Sequence, residues 1–401
     1  MVTLNHDSLI EILKLVEANA DIARVSQTCR SSYYPAIREL LGRKLSFDDN
    51  RRFRSFAKFV SGETNVHRAQ LVRNLDVNPY IYHFRSKAKN WVSSLVIVLA
   101  RCTRLRHLTL GHARVLDIDA RIGSAMRCLT ELRSLCLLDA AGVQARDLVL
   151  TNLRSPRLVN VHIDYKPPGD GFDNEDDLAA DESDINLALS SCAANLKFLS
   201  LHAATFPRLS SDTLRFPNVT SLVLRSCSRH DMEALMHAFP NLCSLVVDNF
   251  SQVLDSQTSV VPAYQTHVEP WKKLMDLEAE TRTIFGLNLP CTVDSWTVME
   301  PVDCHLPGEL SSLMATAEQF CLRRLTMHMD LTCKEDLKQM VDNASGLRLT
   351  HLALGLNVTP IASDDILLLP VSYCMTFWRN FIPLTRALNR ALSSNSHKHA
   401  S

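Results

Sequence analysis

Residues 231–247, DMEALMHAFPNLCSLVV, decide the fold. Met232, Leu235, Met236 and Phe239 recur at i, i+3, i+4 and i+7, which puts them on one face of an α-helix. Pro240-Asn241 breaks that helix. Leu242, Leu245 and Val247 then follow as L-x-x-L-x-L, an extended segment with one buried face. Helix, break and short strand make one unit, and the hexad that ends it returns along the chain. It appears as LRHLTL from Leu105, LRSLCL from Leu132, LVNVHI from Leu158 and LKFLSL from Leu196. It continues as VTSLVL from Val219, LMDLEA from Leu274, LRRLTM from Leu322 and LTHLAL from Leu349. An earlier copy, VRNLDV, starts at Val72, and a weak one, VDSWTV, at Val293.

Successive starts lie 33, 27, 26, 38, 23, 23, 32, 19, 29 and 27 residues apart. Most fall near the roughly 20–29 residues of a leucine-rich repeat, though the asparagine that completes that signature is mostly missing. Side chains alternate along a strand, so hexad positions four and six face a core while three, five and seven point the other way. Position one packs inward at the turn. The expected fold class is α/β: a solenoid of parallel strands with helices outside, its free face left for a partner. That face would carry Asp76, His107, His162, Phe198, His202, Arg225, Asp248 and Arg324 as partner-binding residues. Phe198 stands out as a large aromatic at an outward position. It is either an anchor for the partner, with His162, His202 and Arg225 beside it, or is packed over by a neighbouring insertion.

Composition narrows the function. Lys+Arg and Asp+Glu are both 43 in 401 residues, so no overall field draws the protein to nucleic acid or to an anionic membrane. The twelve cysteines include no C-x-x-C pair and read as small buried hydrophobes of a reducing compartment. His6, Asp7 and Glu11 stand where a signal peptide needs an apolar run, and the longest such run, residues 95–100, is too short to span a bilayer. A soluble cytoplasmic or nuclear protein is expected. None of the 11 glycines falls in a phosphate-cradling spacing, and neither H-E-x-x-H nor G-x-S-x-G occurs. No catalytic residue, metal site or cofactor is expected.

Residues 4–41 differ in character. Leu4, Leu9, Ile12, Leu13 and Val16 form one apolar stripe, with Asp7 in the first turn. Ile22, Val25 and Cys29 form a second, and Pro35 is expected to open a third helix holding Ile37, Leu40 and Leu41. The pattern L-x-x-D-x-L-x-x-I-L followed by D-I-x-x-V-S-x-x-C-R resembles the F-box, the adaptor-binding module of Skp–cullin–F-box ubiquitin ligases. Asn5 stands where that family usually has proline, and Ser32-Tyr33 where a tryptophan is common. The layout resembles the fungal F-box-like proteins with irregular leucine-rich repeats. The resemblance implies that Leu4, Leu9, Ile12, Leu13, Ile22 and Val25 bind the small adaptor of a cullin–RING ligase. The chain would then be its substrate-recognition subunit, holding an unknown target protein on the repeats. A leucine-rich scaffold with a helical cap and no ligase role is the alternative.

The expected layout is an F-box-like module over 1–45, a linker helix over 46–65, the solenoid over 66–360, and a helical cap with a polar tail over 361–401. Arg51, Arg52, Arg54 and Lys58 line one side of the linker helix and read as a solvated face. Residues 166–184 carry eight acidic residues and, before Leu178, one large apolar residue, Phe172; a loop is expected there. The calcium-loop signature is absent from it.

Overall fold

The computed structural model describes residues 5–62, 66–78, 85–111, 113, 116, 119–138, 140, 153–164, 189–202, 214–227, 232–248, 271–287, 289–303, 308–331, 348–358 and 371–378. The chain divides into two compact units, Met1–Val219 and Thr220–Ser401. Both are α/β.

The first unit opens with three helices, α1 (His6–Leu15), α2 (Asn19–Thr28) and α3 (Arg30–Gly42). Six strands follow: β1 (Lys44–Phe47), β2 (Asn74–Val77), β3 (His107–Leu110), β4 (Ser134–Leu137), β5 (Asn160–Asp164) and β6 (Phe198–His202). They pair in chain order, all parallel, with Lys44, Asn74, His107, Ser134, Asn160 and Phe198 in line. Helices α4 (Asn50–Ser61), α5 (Val66–Ala69), α6 (Arg85–Arg101) and α7 (Arg121–Met126) lie between strands.

The hexads behave as alternation requires. Val72, Leu105, Leu132, Leu158 and Leu196, at position one, are all fully buried. Positions four and six, such as Leu108 and Leu110 or Leu135 and Leu137, are buried as well. Helices cover that inward side: Phe47 of β1 meets Phe56 of α4 at a ring distance of 4.8 Å, and Phe53 meets Trp91 of α6 at 5.9 Å. At position two each carbonyl accepts from two amides of the next repeat. Arg73 O takes Arg106 N (2.7 Å) and His107 N (3.0 Å), and Arg106 O takes Arg133 N (2.8 Å) and Ser134 N (3.0 Å). These strand-entry amides are thereby satisfied by the backbone itself.

In the second unit, α8 (Met232–Ala238) and strand β8 (Ser244–Asp248) realise the helix–break–strand reading of residues 231–247. Leu235, Met236 and Phe239 are buried. Strand β7 (Ser221–Arg225) precedes them. Then come β9 (Lys273–Ala279), α9 (Thr281–Leu287), β10 (Thr292–Val298), β11 (Val302–Asp303), α10 (Glu309–Gln319), β12 (Arg324–Leu331), β13 (His351–Val358) and β14 (Val371–Trp378). The order is β7-β8-β9-β10-β12-β13-β14, with β11 paired on β12. All pairs are parallel except β13–β14, which is antiparallel. Even the weak hexad from Val293 is a strand, with Trp296 fully buried against Phe320 at a ring distance of 6.1 Å.

Four features depart from the sequence reading. Strand β1 begins at Lys44, inside the span expected for the helical module, so α4 sits between two strands of the sheet rather than in a linker ahead of it. Helix α3 begins at Arg30, and Pro35 is buried within it rather than at its start. The Ser32 hydroxyl holds that first turn, 2.8 Å from Val25 O and 2.9 Å from Cys29 O. Residues 371–378, expected in a helical cap, form β14. The fourth departure is Leu13 and Ile22, expected on a docking surface. They are 1% and 0% exposed and form the module's own core with Ala36, where Leu9, Val16, Val25 and Leu40 pack against them. The acidic stretch 166–184, residues 361–370 and 379–401, and Leu4 lie outside the described residues. Among the described residues no helix is long and apolar enough to cross a membrane.

Candidate functional site

Three surfaces can be built from the residues upward. The first is the three-helix module. Asn5 caps α1, its side chain accepting from Asp7 N at 3.4 Å, so the residue that departs from the F-box proline serves as a helix cap. At the other end Arg43 reaches back from the entry to β1. Its guanidinium donates to Leu13 O (2.9 Å), Glu17 O (3.1 Å) and Val16 O, all at the C-terminus of α1, and pairs with Glu39 at 3.0 Å. Leu13 O also takes the Val16 amide, and the Val16 and Glu17 carbonyls lie just beyond the last turn of the helix. Asn19 Nδ2 donates to Lys44 O at 3.3 Å, so the module is fastened to β1 at two points. With Leu13 and Ile22 inside, the exposed large apolar groups of the module are Ile12 (45%), Leu15 (81%) and Tyr34 (69%). Among the described adaptor candidates Ile12 is exposed, whereas Leu9 and Val25 are half-buried.

The second surface is the outward face of the first unit. In β5 and β6 His162 Nδ1 lies 2.7 Å from Ser200 Oγ, and His202 Nδ1 lies 2.8 Å from Asp164 Oδ1. Asp76 accepts Lys44 Nζ at 2.9 Å. Cys136 stands in register with His162, but burial and the nearby Asp76 charge push its thiol up to about 11, far from a reactive thiolate. The pKa of His107 is held below 6.5 by burial first, then by the Arg133 and Arg106 charges. Phe198 is half-buried, in register with Asn160, so the expected strand register holds. Among the described residues one histidine meets an acid, His202 with Asp164, while His162 meets Ser200 and Asp76 meets Lys44. Among the described residues no three metal-ligating side chains converge. In the second unit Arg225 is exposed and Asp248 half-buried, paired in register on β7 and β8.

The third surface was not foreseen, apart from Arg324. It lies where β9, β10, β12 and β13 begin. Helix α10 is followed, after its cap Phe320, by Cys321 at φ 55°, a left-handed position that usually takes glycine, with Cys321 N bonding Glu318 O at 3.0 Å and Leu322 N bonding Ala317 O at 3.2 Å. That tight exit delivers Arg323 and Arg324 directly beside Asp294. The Asp294 side chain is 7% exposed and accepts Lys273 Nζ at 3.0 Å, with Arg323 Nε and Arg324 Nη2 each 3.6 Å from its oxygens. The Lys273 hydrogen bond, then the three positive charges, hold the Asp294 carboxyl below its usual pKa of 3.8. Asp294, Arg323, Arg324, Thr350 and His351 line an open pocket of about 670 Å³. The signal in the sequence was Asp294 at hexad position two, one repeat before Arg323 at the same position.

No protein-family model matches this chain, and no curated protein matches it. Geometry and sequence pattern alone carry the functional reading.

Proposed function

We propose that the chain is a non-catalytic recognition subunit of the Skp–cullin–F-box kind, with the N-terminal helices docking on an adaptor and the outward face of the repeats holding a target protein. The observation that carries this reading is the state of the helical module. Its three helices close on their own core of Leu13, Ile22 and Ala36, yet leave Ile12 and Leu15, one turn apart on α1, and Tyr34 on α3 in solvent. A cap would be expected to bury such groups; a docking module keeps them out. The protein does no bond chemistry in this reading and works by raising the local concentration of the target near the transfer machinery. The scaffold alternative is favoured by the Arg43 clasp, which fastens the module to the sheet as a cap would be fastened.

Co-purification with a Skp-type adaptor separates the two. Ile12→Asp combined with Leu15→Asp places charges on exposed positions, so folding should persist while adaptor binding weakens by on the order of 2–4 kcal/mol. Undiminished adaptor capture by the double variant would rule out docking through α1, and failure of the wild type to capture adaptor would leave the scaffold.

A further inference from the structure

The Asp294 cluster holds more positive charge than it uses. One carboxylate faces Lys273, Arg323 and Arg324, a formal excess of two positive charges at a single place. Lys273 alone is within hydrogen-bond distance of that carboxylate; the two guanidinium groups, at 3.6 Å, feel its charge without bonding it. Among the described residues neither Arg323 nor Arg324 donates a side-chain hydrogen bond, and their side chains are 68% and 57% exposed. Each guanidinium carries five N–H donors in a planar fork suited to phosphoryl and carboxylate oxygens. The buried carboxylate thus acts as an internal counterion that gathers the cations, and the donors left over face the pocket.

From this arrangement we infer that the pocket bounded by Asp294, Arg323, Arg324, Thr350 and His351 binds a compact phosphate-class dianion. Two negative charges match the formal excess. The volume, about 670 Å³, exceeds that of a bare phosphate and leaves room for the group that bears it. Thr350 and His351 form the far wall, their Oγ1 and Nδ1 atoms 2.8 Å apart. An extended polyanion such as nucleic acid fits poorly. Following the register outward from Arg324, the next strand holds Ser295 and the one after it Asp276, an exposed acid, with exposed Glu278 two residues on. The positive region is closed off on that side, whereas nucleic acid needs a continuing track of cations. The inference stands apart from adaptor docking, which uses the other unit.

The test is calorimetric titration of the full chain at constant ionic strength, with inorganic phosphate and, separately, a phosphoserine peptide. Saturable binding at one site is expected. Arg323→Gln with Arg324→Gln should weaken it at least tenfold, as expected for loss of charge-assisted bonds, and both residues are exposed enough for the fold to survive. Should the double variant melt early, Arg324→Gln alone should still cost several-fold. Arg106→Gln with Arg133→Gln, on the first unit, serves as a control for general charge and should change nothing. Tighter binding of the peptide assigns the dianion to a phosphorylated protein; equal or tighter binding of free phosphate assigns it to a small phosphate compound. No saturable binding of either probe, or equal losses in both double variants, overturns the inference. Ile12→Asp with Leu15→Asp should leave phosphate binding intact, which keeps this result separate from the adaptor test.

Discussion

On the outward face of the first unit, charged and polar groups are arranged to answer one another: Lys44 with Asp76, Asp164 with His202, His162 with Ser200. At the entry to the strands of the second unit, three cations share one acid. Both surfaces stand on the same hexad and the same buried leucines. They differ in that the second also carries charge outside the outward columns, on Lys273 before column one and on Asp294 and Arg323 at column two, beside Arg324 at column three. Columns three, five and seven lie on the regular sheet face, where a residue has an in-register neighbour on each adjacent strand and can be answered there. Column two lies at the entry to the strand, where the backbone is already bonded in a fixed ladder and side chains gather from four chain segments. A self-answered surface suits a shape-matched protein partner; an unbalanced one suits a charged ligand.

The largest test of this comparison asks whether the two cores are as alike as the hexads imply. Leu135→Ala in the first unit and Leu277→Ala in the second remove side chains that are each 1% exposed, and each should cost about 2–5 kcal/mol in chemical denaturation. A full loss at one and almost none at the other would mean that the repeats are not equivalent supports, and the comparison of their faces would fail.

A smaller effect is expected at Phe198. It is half-buried on the outward face, so Phe198→Ala should cost about 1–2 kcal/mol, below the roughly 3–5 kcal/mol of a fully buried phenylalanine. A loss in the upper range would make Phe198 a core residue and remove it from the candidate partner surface.

The smallest effect concerns pH. Because burial and the Arg133 and Arg106 charges lower the pKa of His107, the folded chain favours its neutral form. That contribution is present in full above the unfolded value near 6.5 and is lost as pH falls through the lower folded value. Melting measured from about pH 7.5 down to about pH 5 should therefore fall more steeply in the wild type than in His107→Gln. Parallel curves would show that His107 is answered as fully as its neighbours on that face.

Most of the sheet was legible because alternation leaves little freedom: a hexad with Leu at one, four and six can bury its large side chains in only one way. The first strand escaped notice because Gly42 stands at position one and offers nothing to bury. Pro35 was misleading in a different way. It is a good marker of a helix start, but here the extended backbone of Cys29 and the Ser32 hydroxyl set the start one and a half turns earlier. Leu13 and Ile22 show a limit of stripes in general: an apolar helix face says that something covers it, not whether the cover is the module's own third helix or another protein. Arg324 could be foreseen from its outward column. Asp294 could not be read from alternation, which has no rule for position two, and it sits in the weakest hexad of the set. Comparing that column between neighbouring repeats would have paired it with Arg323.

Strand β14 has a consequence for self-association. A row of parallel strands ends in a naked edge on which another copy could continue the row in the same direction, and repetition of that step builds a filament. Here the last described strand runs the other way, paired with β13 over eight residues from His351↔Trp378 to Val358↔Val371. A second chain meeting that edge finds the polarity of its own strands reversed. At β1 the carbonyl of Lys44 is already taken by Asn19 of the helical module. In the second unit the reversed strand, and in the first the borrowed amide, each take away one feature that a further parallel strand would use.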